Sequence, residues 1–154
     1  MKTYFDTALL VKAYVEEETS PVADELLRAA ALPIAFTELH GLEVRTALRL
    51  KRFRHELTDA ETADALQALQ DDLVAGLLAK PELDLDTVFH RAEVLSARHA
   101  AATGARSLDI LHVAAALELK ADAFASLDER QREVAQKSGL KLWPKSTPTG
   151  RQGR

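Results

Sequence analysis

The chain has no cysteine. Disulfides and thiolate metal sites are therefore both excluded. No window approaches ~18 uninterrupted apolar residues, so no segment is expected to span a membrane. The N-terminus lacks a basic region followed by a long apolar core, and the expectation is a cytoplasmic protein. A basic surplus is missing too: 20 Lys and Arg stand against 24 Asp and Glu, a net charge of −4. Proteins that hold nucleic acid by general attraction are usually basic. Contact with nucleic acid must then be local or screened by a metal, and the acidic surplus equally suits a basic protein partner. Glycine-rich phosphate loops and the G-x-S-x-G elbow are absent, which removes the main support for NTPase, dinucleotide and serine-hydrolase readings. His40, His55, His90 and His99 show no HExxH spacing. The intervals at Asp71-Asp72 and Asp84/Asp86 do not match a calcium loop. There is no internal repeat.

What is present fits one domain. At 154 residues, 47% apolar and 29% charged, the chain can close a single core. The domain is expected over 1–143, followed by a polar, basic, Pro/Gly-rich tail over 144–154 that reads as disordered. Strands are expected at Lys2 to Phe5, Ile34 to Thr37, Ala123 to Leu127 and Leu140 to Trp143. Helices fill the intervals, with a long helical insertion from about Glu38 to Ala101. Thr58 and Glu61 form a capping box that opens a helix expected to reach Lys80. At 100° per residue, Leu39, Leu42, Thr46, Ala47, Leu50 and Phe53 share one face of the third helix. The acidic run Glu16 to Glu18 reads as solvated. The helix from Leu108 is apolar nearly all round and should be buried. Alternating strands and helices imply an α/β fold, a three-layer α/β/α sandwich with a central parallel sheet.

Four acids stand out against that frame. Asp6 and Asp128 each lie where a strand gives way to a helix, so they share the carboxyl edge of the sheet, where such folds bind ligands. Glu43 and Asp109 occupy early turns of largely apolar helices. Each has a bland explanation taken singly: an N-cap for Asp6 and Asp128, a dipole contact for Asp109, a rim position for Glu43. Two unit charges about 4 Å apart repel by roughly 4 kcal/mol at an effective dielectric near 20. Four converging carboxylates would therefore either protonate or hold a divalent cation. An all-oxygen set favours Mg²⁺ or Mn²⁺ over zinc. His112, three residues after Asp109, reads as a hydrogen-bonded structural histidine, and Lys12 as a surface lysine rather than a phosphate contact.

The four contexts also resemble a family. YFDTALLVKAY, FTELHGLEVRTAL, ARSLDILHVAAAL and AFASLDERQREVAQKSGLKL are similar, in order and spacing, to the motifs of PIN-domain ribonucleases. The likeness is strongest to the VapC toxins of bacterial VapBC toxin–antitoxin pairs. It implies a PIN-like fold and metal-dependent endoribonuclease activity. It also implies a homodimer and a cognate antitoxin whose segment fills the acidic cleft. By the same resemblance Asp6 and Asp109 are the principal metal ligands, and Glu43 and Asp128 complete the pocket. Thr7 and Ser126 match the family's supporting hydroxyls. One departure is Ala8, where the family commonly carries a second hydroxyl or asparagine after the first acid. Two other readings stay open: a PIN-like module that binds protein or RNA without cutting, and a DNA-directed nuclease.

Overall fold

The computed structural model describes residues 1–17 and 20–147. Glu18 of the acidic run and positions 148–154 of the expected tail lie outside the described residues. β1 (Thr3–Phe5) leads directly into α1 (Thr7–Val11), and α2 spans Ser20–Arg28. β2 (Ile34–Ala35), α3 (Glu38–Phe53), α4 (Asp59–Val74) and β3 (Leu78–Ala79) follow. The chain continues through α5 (Leu85–Thr103), α6 (Ser107–Glu118), β4 (Ala123–Ala125), α7 (Glu129–Lys137) and β5 (Lys141–Trp143).

All observed strand pairings are parallel. β4 pairs with β1 on one side and β5 on the other, while β2 pairs with β3. β2 also lies against β1. Alternate strand residues point to opposite faces, and two cores result. Tyr4 and Phe124 face α5, α6 and α7 through Val88, Leu95, Val113 and Val134. Phe5 and Ala125 face α1, α3 and α4 through Leu9, Val44, Leu48 and Leu69. This is the expected three-layer sandwich, with α6 buried continuously from Ile110 to Ala116. Among the described residues no helix is long and apolar enough to cross a membrane.

Three local expectations change. The helical insertion is interrupted: α4 stops at Val74, and Gly76 takes a positive φ of 72° that turns the chain into β3. Ile34 and Phe36 then donate to the carbonyls of Leu77 and Ala79, both at 2.9 Å. A two-residue strand is too short to show a period of two.

The core face of α3 is also different. His40, Gly41, Val44 and Leu48 are buried, whereas Leu42 is 69% and Phe53 78% exposed. The helix carries two apolar stripes, and the smaller one turns inward because His40 bonds to the Phe5 carbonyl at 2.8 Å.

The first helix ends at Val11 rather than near Glu16, and the turn after it is tied down. Glu17 pairs with both Lys12 and Lys51 instead of standing in solvent. Tyr14 donates to Asp72 at 2.7 Å, joining this turn to α4. Tyr14→Phe deletes only that bond, and the expected loss is about 1 kcal/mol by urea denaturation.

Past β5, the carbonyls of Pro144 and Lys145 accept from the Arg132 guanidinium, and Thr147 donates to Glu129 at 2.6 Å. The beginning of the expected tail is therefore fastened beside α7.

Candidate functional site

The carboxyl ends of β1 and β4 carry the first pair of acids. Asp6 has extended backbone and caps α1, its Oδ1 accepting the Leu9 N–H at 2.8 Å. Asp128 does the same for α7, accepting from Gln131 N at 2.9 Å. Ser126, fully buried at the end of β4, joins them. Its hydroxyl donates to Asp6 Oδ2 and accepts the Asp128 N–H at 3.0 Å. The serine carbonyl is held in turn by buried Arg132 at 2.8 Å.

Asp6 is only 3% exposed, and desolvation dominates its electrostatics. Burial pushes its carboxyl up to about 6, against the opposing pull of the Ser126 and Leu9 hydrogen bonds. The charge of Asp128 adds to the rise, and the neighbouring His112 acts against it. A buried carboxylate under such stress gains from any cation that approaches it.

The other two acids reach this edge by different routes. Asp109, in the first turn of α6, turns its Oδ2 back to the Arg106 N–H at 3.0 Å. Its backbone carbonyl, rather than its side chain, touches the Asp6–Ser126–Asp128 group, through Gln131 Nε2 at 3.3 Å. Glu43 belongs to a second group. Its Oε1 accepts from the Thr7 hydroxyl at 3.1 Å and from His112 Nε2. Thr7 follows Asp6 in the chain, so the two groups adjoin at the start of α1.

Several buried polar residues that sequence reasoning left without a role hold this arrangement. Gln131 is 3% exposed and links Ser126, Asp128 and Asp109. Tyr4, 1% exposed, bonds to His112 Nδ1 at 2.8 Å. His40 accepts the Thr37 N–H at Nδ1 and meets the Phe5 carbonyl at Nε2, which fixes its proton on Nε2. Burial pushes His40 down to about 3. A polar residue at i+3 from a cap was the available signal for Gln131; the reach of Tyr4 to His112, 108 residues away, had none.

The donor chemistry suits a hard divalent cation. Every acid is an oxygen ligand, and Asp6 supplies a desolvated one. Among the described residues no three acidic or histidine side chains converge into a ready cage for an ion. Asp6 and Asp128 are the two acids joined at this edge, through Ser126, while the Asp109 carboxylate is engaged by the Arg106 N–H.

Beside Glu43 a cavity of about 600 Å³ runs between α1 and α3. Val11, Leu42, Ala47 and Leu50 line it, with Glu43 toward the start of α3 and Lys51 and Arg54 toward its end.

No family model matches this chain, and no curated protein matches it. Among solved structures, the crystal structure of FitAcB from Neisseria gonorrhoeae is similar, with a TM-score of 0.61 and 13% sequence identity. The match covers 93% of this chain and 97% of the other. At that identity the likeness shows the fold, which is α/β and PIN-like.

Proposed function

We propose that this protein is a Mg²⁺- or Mn²⁺-dependent endoribonuclease, the VapC-like toxin of a type II toxin–antitoxin pair, acting in the cytoplasm. The observation that carries the reading is Asp6: a carboxylate buried at the carboxyl end of β1, raised to about 6, with Asp128 joined to it through Ser126. The PIN-like fold supports it, as do the four motif contexts.

Asp6 and Asp109 are the principal metal ligands in this reading, and Asp128 and Glu43 complete the acidic edge through water. A divalent cation bound there supplies Lewis acidity, a water poised for attack at neutral pH, and neutralisation of phosphate charge. Thr7 and Ser126 hold the acids in place by the hydrogen bonds already described. With a net charge of −4, a cation bound there would screen the phosphates of an approaching RNA backbone.

A cognate antitoxin is the proposed partner, within a homodimer of the toxin. The apolar cavity between α1 and α3 suits a protein segment, and a basic side chain from it would pair with the carboxylates.

The deciding experiment is cleavage of a mixed RNA panel with Mg²⁺ or Mn²⁺. Expected are cuts that disappear in EDTA and return with Mn²⁺, while matched DNA survives. Cleavage undiminished by EDTA removes the metal mechanism. The competing reading is a PIN-like module that binds protein or RNA without cutting. It predicts no Mn²⁺ binding heat that depends on Asp109.

A further inference from the structure

Three of the four acids are steadied by the nearest helix end. Asp6, Asp109 and Asp128 each accept a backbone N–H from within three residues of themselves. Glu43 has no such local support, because it lies inside α3, five residues past its first. Its carboxylate is held instead by side chains from α1 and α6, at separations of 36 and 69 residues.

We infer that His112 is a positioning residue for the proposed hydrolysis, which holds the Glu43 carboxylate by one oxygen and leaves the other free. This rests on the hydrolase reading above. The Tyr4 phenol carries its proton at neutral pH and donates it to His112 Nδ1 at 2.8 Å, so that nitrogen is bare. The ring proton then sits on Nε2, which faces Glu43 Oε1 and lies 3.1 Å from Thr7 Oγ1. Thr7 donates to the same oxygen, so Oε1 receives two donors. Among the described residues Oε2 carries no hydrogen bond, and it is the oxygen left for water or substrate.

The ring cannot easily turn away. It is 2% exposed, with the His40 ring centroid at 4.8 Å and that of Tyr4 at 5.8 Å. His112 also stands one turn after Asp109 on α6, and residues at i and i+3 share a face. The helix that presents Asp109 thus also fixes Glu43.

The test uses the full chain, with RNA and Mn²⁺, in variants shown to be folded by circular dichroism. His112→Gln carries an amide N–H that can replace Nε2, whereas His112→Asn is too short to reach Glu43. We expect His112→Gln to keep kcat within about threefold, and His112→Asn to lose about 10–30-fold in kcat with KM for RNA unchanged. Glu43→Gln should cost about 10²-fold, and adding His112→Asn to it should cost nothing more. Effects that multiply in the double variant overturn the inference, as does equal loss in the Gln and Asn variants. Two-bond ¹H–¹⁵N spectra of the metal-free wild type decide it without activity: the expected His112 tautomer is Nε2–H, and Tyr4→Phe should loosen that preference. An Nδ1–H tautomer in the wild type overturns the inference. Wild-type protein that cuts no RNA with any divalent cation, yet shows the Nε2–H ring, overturns the hydrolase reading instead.

Discussion

Under the proposed hydrolase reading, Asp6→Asn should lower RNA cleavage by about 10²–10³-fold while making the metal-free protein more stable at neutral pH. The two effects have one cause. In the native state the carboxyl is pushed up to about 6 from 3.8, chiefly by burial. The folded protein therefore binds more protons than the unfolded chain between those values. The stability this contributes is fully present below 3.8 and is lost as pH rises through 6. Above that window the ionised side chain costs the fold about 3 kcal/mol. Asparagine has the same shape and no charge to desolvate.

The variant can also satisfy its neighbours. Its amide oxygen can accept the Leu9 N–H that Oδ1 now takes. Its amide nitrogen can donate to Ser126 Oγ, whose own proton then goes to Gln131 Oε1, already 3.2 Å away. Urea denaturation in EDTA should show the variant gaining about 3 kcal/mol over wild type between pH 4 and pH 7.5. Mn²⁺ should raise the melting temperature of wild type and leave that of the variant unmoved. A variant with full activity, or one less stable than wild type at pH 7.5, contradicts this account.

How much of the site the sequence carried depends on how far each acid is from what holds it. Asp6 and Asp128 were legible because strand, acid and helix start are contiguous, and each caps the helix that follows. Asp109 was legible as a residue, but its carboxylate is engaged by the Arg106 N–H, and only its carbonyl meets the network. Glu43 was legible only as an acid on an apolar helix. Its partner His112 lies on another helix, and no local pattern encodes that distance. The reading of His112 as a hydrogen-bonded histidine holds, yet its bonds run to Tyr4, Thr7 and Glu43 at the heart of the site. The choice of the buried face of α3 has the same origin. Leu42, Leu50 and Phe53 made the more hydrophobic stripe, while the inward face was chosen by His40 reaching a carbonyl on β1. Partners remote in sequence decide which of two plausible faces is buried.

That histidine supplies the second large effect. His40→Ala should destabilise the protein by about 3–5 kcal/mol, from a cavity and two stranded backbone groups. The Thr37 N–H loses Nδ1 and the Phe5 carbonyl loses Nε2–H, both buried. The ring also stacks on Phe36, at 5.7 Å, and lies tilted against Tyr4, at 4.9 Å. Because Phe5 precedes Asp6, the loss loosens the strand end on which the first acid stands.

The same ring makes the fold acid-sensitive. Its native value is pushed down to about 3 from 6.5 by burial and by the nearby His112. The unfolded chain therefore binds more protons in that window. His40 contributes stability that is fully present above 6.5 and is lost as pH falls toward 3, at most about 5 kcal/mol. Asp6 works in the opposite sense between 6 and 3.8 and offsets about 3 kcal/mol of that loss. The two variants should therefore diverge on acidification. Asp6→Asn lacks the offset, so its advantage over wild type at pH 7.5 shrinks toward zero by pH 4, where its stability falls most steeply. His40→Ala keeps the Asp6 response alone, and its stability should rise rather than fall from pH 6.5 to pH 4. Urea midpoints collected across that range in EDTA distinguish the two slopes, and parallel curves for all three proteins would refute the assignment of opposing roles.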